Sequence, residues 1–138
     1  MPLHMIKLVV GVDTLDELKA WRRARQKTER DWVVQTRMTP KRAAEIEDGG
    51  SLYRVIKGVA VCRQRVLSID TVGEGRASRC RITVDTECVP VAPRRWRPFQ
   101  GWRYLEPKDA PPDLDALGEA AEAAPPELVA QLRELGAW

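Results

Sequence analysis

Ser51-Leu52-Tyr53-Arg54-Val55-Ile56, then Lys57-Gly58, then Val59-Ala60-Val61-Cys62-Arg63-Gln64-Arg65-Val66-Leu67-Ser68-Ile69: two runs rich in β-branched and apolar residues are joined by only two residues. Such runs favour a pleated, half-buried surface. A two-residue link ending in Gly suits a tight hairpin turn. The stretch therefore predicts strands over Ser51–Ile56 and Val59–Ile69. Alternation in the second strand is imperfect, since Val59 and Val61 share a face with Arg63 and Arg65 and then with Leu67 and Ile69. A bulge near Gln64 would restore the phase.

Working outward, Thr71–Ala77 holds Gly73 and Gly75 and reads as a loop. Arg79–Asp85 alternates cleanly, with Cys80, Ile82 and Val84 inward and Arg79, Arg81 and Thr83 outward. Upstream, Leu3–Val12 reads as a strand, and Asp13 is placed to cap a helix from Thr14 to about Gln26. Trp32–Met38 reads as a further strand. Thr39-Pro40 has the form of a cap and first position for a short helix, which Gly49-Gly50 ends. Pro90 and Pro93 are expected to break regular structure, Gly101–Leu105 to form a last short strand, and Pro107–Pro112 to be a linker. Asp113–Ala124 and Pro126–Leu135 read as two short helices. The order implies an α+β fold, with a small curved, mostly antiparallel sheet or barrel, two helices in the N-terminal half and a helical C-terminal tail.

The chain has 138 residues and a net charge of +3. Six acids (Asp113, Asp115, Glu119, Glu122, Glu127 and Glu134) against Arg133 alone leave residues 111–138 at −5, so residues 1–110 carry +8. We read 1–110 as a basic α+β domain and 111–138 as an acidic tail packed on it. A basic body suits a polyanionic partner, and an acidic tail could mask it as a regulatory device. No apolar run is long enough to span a membrane. Cys62, Cys80 and Cys88 are odd in number and lack metal-ligand spacing, so reduced thiols, a cytoplasmic location, no metal and no cofactor are expected.

Four of the eight aromatic residues lie between Trp96 and Tyr104, interleaved or flanked by Arg94, Arg95, Arg97 and Arg103. Two readings stand: a clasp across the core, or rings and guanidiniums offered to a partner. Between Arg54 and Arg103 the only acids are Asp70, Glu74, Asp85 and Glu87. Arg79, Arg81, Arg95, Arg97 and Arg103, with Trp96 or Trp102 as a stacking platform, are the expected nucleic-acid face, with RNA favoured. The alternative is a small-molecule pocket near the Lys41 helix using Lys41, Glu45, Tyr53 and Asp85. His4, the only histidine, lies in a strand and reads as structural. No phosphate-binding glycine loop is present, and no reaction is assigned.

Leu3–Leu8, Thr36–Arg42, Asp48–Gly58 and Arg97–Leu105 together resemble an alphaproteobacterial family, domain of unknown function 1489, which brings no catalytic residues with it. The short helix with Lys41 and Glu45, followed by a Gly-led strand and hairpin, is similar to PUA-like barrels, including their ASCH branch. That resemblance implies a barrel that binds RNA or modified bases, although the Glu-x-Arg of the ASCH pattern is missing here.

Overall fold

A computed structural model describes residues 2–9, 11–25, 32–97 and 99–114. The described elements are β1 (His4–Leu8), α1 (Leu15–Arg25), β2 (Trp32–Thr36), α2 (Ala43–Glu47), β3 (Ser51–Ile56), β4 (Val59–Val72), β5 (Arg79–Val84), β6 (Val89–Arg95) and β7 (Trp102–Leu105). They build an α+β fold around one curved, unclosed sheet of seven strands in the order β2-β5-β4-β3-β1-β7, with β6 also paired to β4. Pairing is antiparallel except between β1 and β3. The helices expected over Asp113–Ala124 and Pro126–Leu135 lie outside the described residues beyond Leu114, as does Gln26 at the expected end of the first helix.

The hairpin forms as its sequence dictates. Lys57 and Gly58 have φ of +49° and +75°, the pair of left-handed conformations that a two-residue turn needs to match strand twist. The long β4 carries two irregularities, one on either side of Gln64. Val61 is extra against β3, where Arg54 faces Cys62 but Val55 faces Ala60. Leu67 is extra against β5, where Val66 faces Val84 but Ser68 faces Thr83. Each bulge resets the alternation, so Cys62, Gln64, Val66 and Ile69 all point inward. The same bends let one strand serve two parts of the sheet: its first half pairs β3 and β6, its second half β5.

Every residue of β3 is buried, because apolar material covers both faces of the sheet there. On one face Leu3, Met5, Leu15, Leu18, Trp32, Ile46, Leu52, Ile56 and the inward side chains of β4 and β5 form the main core under α1 and α2. On the other, Ile6, Tyr53, Val55, Ala60, Val91 and Leu105 form a smaller cluster, closed by Trp96 and Phe99. Full burial of a side chain such as Leu52 or Ile56 is worth about 1.5–3 kcal/mol, so β3 is the element the fold can least lose.

Several boundaries differ from expectation, each for a local reason. β1 ends at Leu8, ahead of Gly11 at φ +90°. Thr14, not Asp13, caps α1: its Oγ1 accepts from Glu17 N–H at 3.1 Å, while the Glu17 carboxylate accepts from Asp13 N–H at 2.9 Å, one residue before the cap. Arg22, near the end of α1, is buried, with its guanidinium 5.5 Å from the Trp32 ring. β2 stops at Thr36, and α2 starts at Ala43 after Arg42. Thr39 is not its cap, because the Thr39 hydroxyl hydrogen-bonds Thr71 Oγ1 at 2.6 Å. Pro90 and Pro93 do not break structure; both sit in β6, whose ladder partner is β4 and whose other edge is met by Pro112 and Asp113. An edge strand tolerates the missing donor. Pro107–Pro112 is no free linker: it forms a 3-10 turn at Pro107–Asp109, and Pro112 C=O accepts from Ala92 N–H at 2.8 Å.

Candidate nucleic-acid interface

At one end of the sheet the chain leaving β2 meets the end of β4 and the start of β5. Thr36 is paired with Cys80, so Arg37 leaves the ladder beside Arg79. An open cleft of about 560 Å³ results, lined by Arg37, Met38, Thr39, Thr71, Gly75, Arg76, Ser78 and Arg79. Three arginines and three hydroxyl-bearing residues line this space, and no acidic residue does. Like charges brought together across a sheet repel, and an anion between them relieves the repulsion.

The cleft has a fixed frame. Arg79 Nη1 donates to Arg76 O at 3.1 Å and Ser78 O at 2.8 Å, which orients its guanidinium. The Thr39–Thr71 hydroxyl bond joins the two walls. Trp102 Nε1 donates to Met38 O at 2.7 Å, anchoring the β2 exit from β7. Met38 itself is 71% exposed at the rim.

The other expected interface residues are dispersed. Arg81 is exposed on the outer side of β5, between its register partners Gln35 and Asp70. Arg95 and Arg97 are exposed near the Lys57-Gly58 turn. Arg103 lies on β7 next to Trp102, whose ring reaches Met38 at the cleft, but its own guanidinium turns to the Phe99 ring at 5.5 Å. The structure thus brings Arg79 together with Arg37 and Arg76, and not with Arg95, Arg97 or Arg103. Of the other cations in the hairpins, Arg54 is buried, and Arg63 forms a two-pronged ion pair with Asp113 at 2.7 and 2.8 Å. That pair docks the root of the acidic tail on the body.

The aromatic stretch is chiefly a clasp. Trp96 packs on the smaller cluster, receives the Arg94 guanidinium at 5.1 Å from its ring, and is tied by its N–H to Gly58 O at 2.8 Å. Phe99 packs there too, with the Arg103 guanidinium 5.5 Å from its ring. Trp102 packs on the main core and edge-on to Tyr104, 4.8 Å between centroids. The Tyr104 hydroxyl accepts from Arg42 N–H at 3.2 Å. Rings held in this way are costly to withdraw for stacking on a base.

Lys41, Glu45, Tyr53 and Asp85 do not share a pocket. Lys41 is exposed. Glu45 is gripped by Arg42 at 2.6 and 2.9 Å, which holds its carboxyl below the ordinary range. It borders a cavity of about 400 Å³ with Pro2, Leu3, Asp48, Glu106 and Pro107. Tyr53 is inside the smaller cluster, edge-on to His4. Asp85 Oδ1 accepts from Glu87 N–H at 3.0 Å beyond β5.

His4 is structural: its Nδ1 accepts from Ser51 N–H at 3.0 Å. Burial, and then Arg63, push its pKa below the ordinary value. The unfolded chain therefore binds the extra proton first. The contribution of His4 to stability is complete above about pH 6.5 and is lost as pH falls through its lowered folded value. Urea melts from pH 8 to 5 are expected to show a fall that shrinks in His4→Asn; an unchanged fall would assign the acid sensitivity elsewhere.

Arg37 escaped the sequence reading. The sequence places it inside an expected strand over Trp32–Met38, whereas β2 ends at Thr36, and its value depends on which strand lies beside β2. Among the described residues, no cluster of His, Cys, Asp and Glu could hold a metal ion, and no helix is long and apolar enough to cross a membrane. A family model described as protein of unknown function (DUF1489) matches residues 5–138. No curated protein and no solved structure matches the chain.

Proposed function

The chain belongs to the family of proteins of unknown function DUF1489, and we propose that it binds single-stranded nucleic acid, RNA in preference to DNA, through the cleft between β2, β4 and β5. One observation carries the reading: Arg37, Arg76 and Arg79 converge on a cleft whose lining includes no acid. Arginine forks match phosphate oxygens in pairs. Thr39, Thr71 and Ser78 offer hydroxyls that can bond a ribose 2′-OH, the group that separates RNA from DNA. Exposed Met38 supplies an apolar contact for a base at the rim. The positive charge of residues 1–110 draws a polyanion to the body. The curved sheet with its bulged β4 is in keeping with a PUA-like arrangement, and this kinship forms part of the proposal.

Ultraviolet crosslinking of the full chain to a labelled single-stranded RNA, followed by peptide mapping, tests the location. Crosslinks are expected in peptides containing residues 37–41 and 71–79, with DNA of the same sequence competing weakly. Crosslinks confined to residues 94–105 would return the interface to the aromatic stretch and contradict the proposal.

A further inference from the structure

On the far side of β3 from Tyr53, a second cavity of about 390 Å³ opens between the end of β1, α1 and β2. Its walls are apolar and aromatic, with Val12 and Leu18 facing Trp32, and with Trp21 6.2 Å from Trp32 between ring centroids. Two cations also line it, Lys7 and Arg54. They are register partners on the parallel strands β1 and β3, so like charges sit directly opposite one another.

Arg54 is only 6% exposed. Its Nη1 donates to Gln64 Oε1 at 2.9 Å, but its Nε has no hydrogen-bond partner. Among the described residues no carboxylate pairs with it. Burial pulls the pKa of both cations below the ordinary values, and Arg54 lowers that of Lys7 further, while the Cys62 and Cys88 thiols act on Arg54 in the opposite sense. A buried guanidinium without a carboxylate partner is expensive to maintain, and an orphaned N–H adds to the cost.

We propose that this cavity binds a small apolar carboxylate, its body between Trp21, Trp32, Val12 and Leu18 and its carboxylate against Arg54 and Lys7. The ligand supplies a carboxylate counter-charge beside the Arg54 guanidinium and the Lys7 ammonium. The volume is at the lower end of that of small-molecule sites, and an apolar wall with a few convergent polar groups is their usual form. The site is separate from the arginine cleft and does not depend on it.

The test is titration of the full chain, by tryptophan fluorescence and calorimetry, with 2-naphthoate and decanoate, each against its neutral amide. At least one acid is expected to bind about tenfold or more tightly than its amide, the loss expected for a charge-assisted hydrogen bond. Which acid binds distinguishes a flat ring from an alkyl chain as the body. Val12→Phe, which fills the cavity, should abolish binding while the thermal melt of the free protein stays cooperative. Lys7→Met should bring the acid-to-amide ratio toward one, independently of whether an Arg54 variant folds. The inference is overturned if neither acid binds more tightly than about 1 mM, if acid and amide bind alike, or if Val12→Phe binds as the unaltered chain does.

Discussion

Gly50→Ala is expected to cost about 3 kcal/mol or more, a large part of the stability of a chain this size. A methyl group placed on Gly50 would collide with Leu3 O and would meet Ile46 O at 2.5 Å and Ile46 Cα at 3.1 Å. All three are backbone atoms, so no side chain can turn aside to admit it. The position is also a junction: Gly50 N–H donates to Ile46 O at 2.7 Å and Gly50 O accepts from Val66 N–H at 3.0 Å. The lead into β1, the end of α2 and the middle of β4 must therefore all move together. A drop in melting temperature of roughly 10 °C or more follows. Gly49→Ala is the control. Its φ of +94° makes a side chain uncomfortable, but its surroundings are open, with only Pro2 Cβ at 3.9 Å. About 1 kcal/mol is expected there. Equal melts for the two variants would mean that the close approach at Gly50 is not what holds α2 to the sheet.

The second large effect is on binding. Replacing Arg37, Arg76 and Arg79 together by Ala should weaken RNA binding on the order of a hundredfold at moderate salt, because three phosphate contacts disappear at once. Arg37 and Arg76 are exposed and Arg79 is half-buried, so stability should change little beyond the loss of the Arg79 bonds to Arg76 O and Ser78 O. Arg95→Ala with Arg97→Ala removes two exposed cations from another part of the surface and should weaken binding only modestly. If the two sets of variants lose affinity equally, the protein attracts RNA by general charge and the cleft has no special part.

Local patterns in the chain disclosed much of the fold. Val, Ile and Tyr around Lys57-Gly58 specified the β3–β4 hairpin, and the alternation of Arg79–Val84 specified both faces of β5, because each depends on neighbours in sequence. The errors came where a residue's partner is remote. Thr39 has the chemistry of a cap, but Thr71 claims its hydroxyl. Pro90 and Pro93 look like breakers until β6 is seen to lie at an edge, where a missing N–H costs little. The candidate site was half legible for the same reason. Outward-pointing Arg79 could be read from β5 alone. That Arg37 stands beside it follows from the β2–β5 register, which no local pattern contains. The aromatic stretch posed a choice between core and surface that composition could not make. The packing of Trp96 and Phe99 on one cluster and Trp102 on the other makes it.

The salt dependence of RNA binding tests the central claim most directly. For the full chain and the folded Arg37, Arg76 and Arg79 triple variant, the logarithm of the association constant for one single-stranded RNA is plotted against the logarithm of salt concentration. Each phosphate contact contributes about 0.7 to the slope on a single strand. The account predicts that the slope of the triple variant is shallower by about 2. An unchanged slope in a triple variant that melts like the unaltered chain would contradict it.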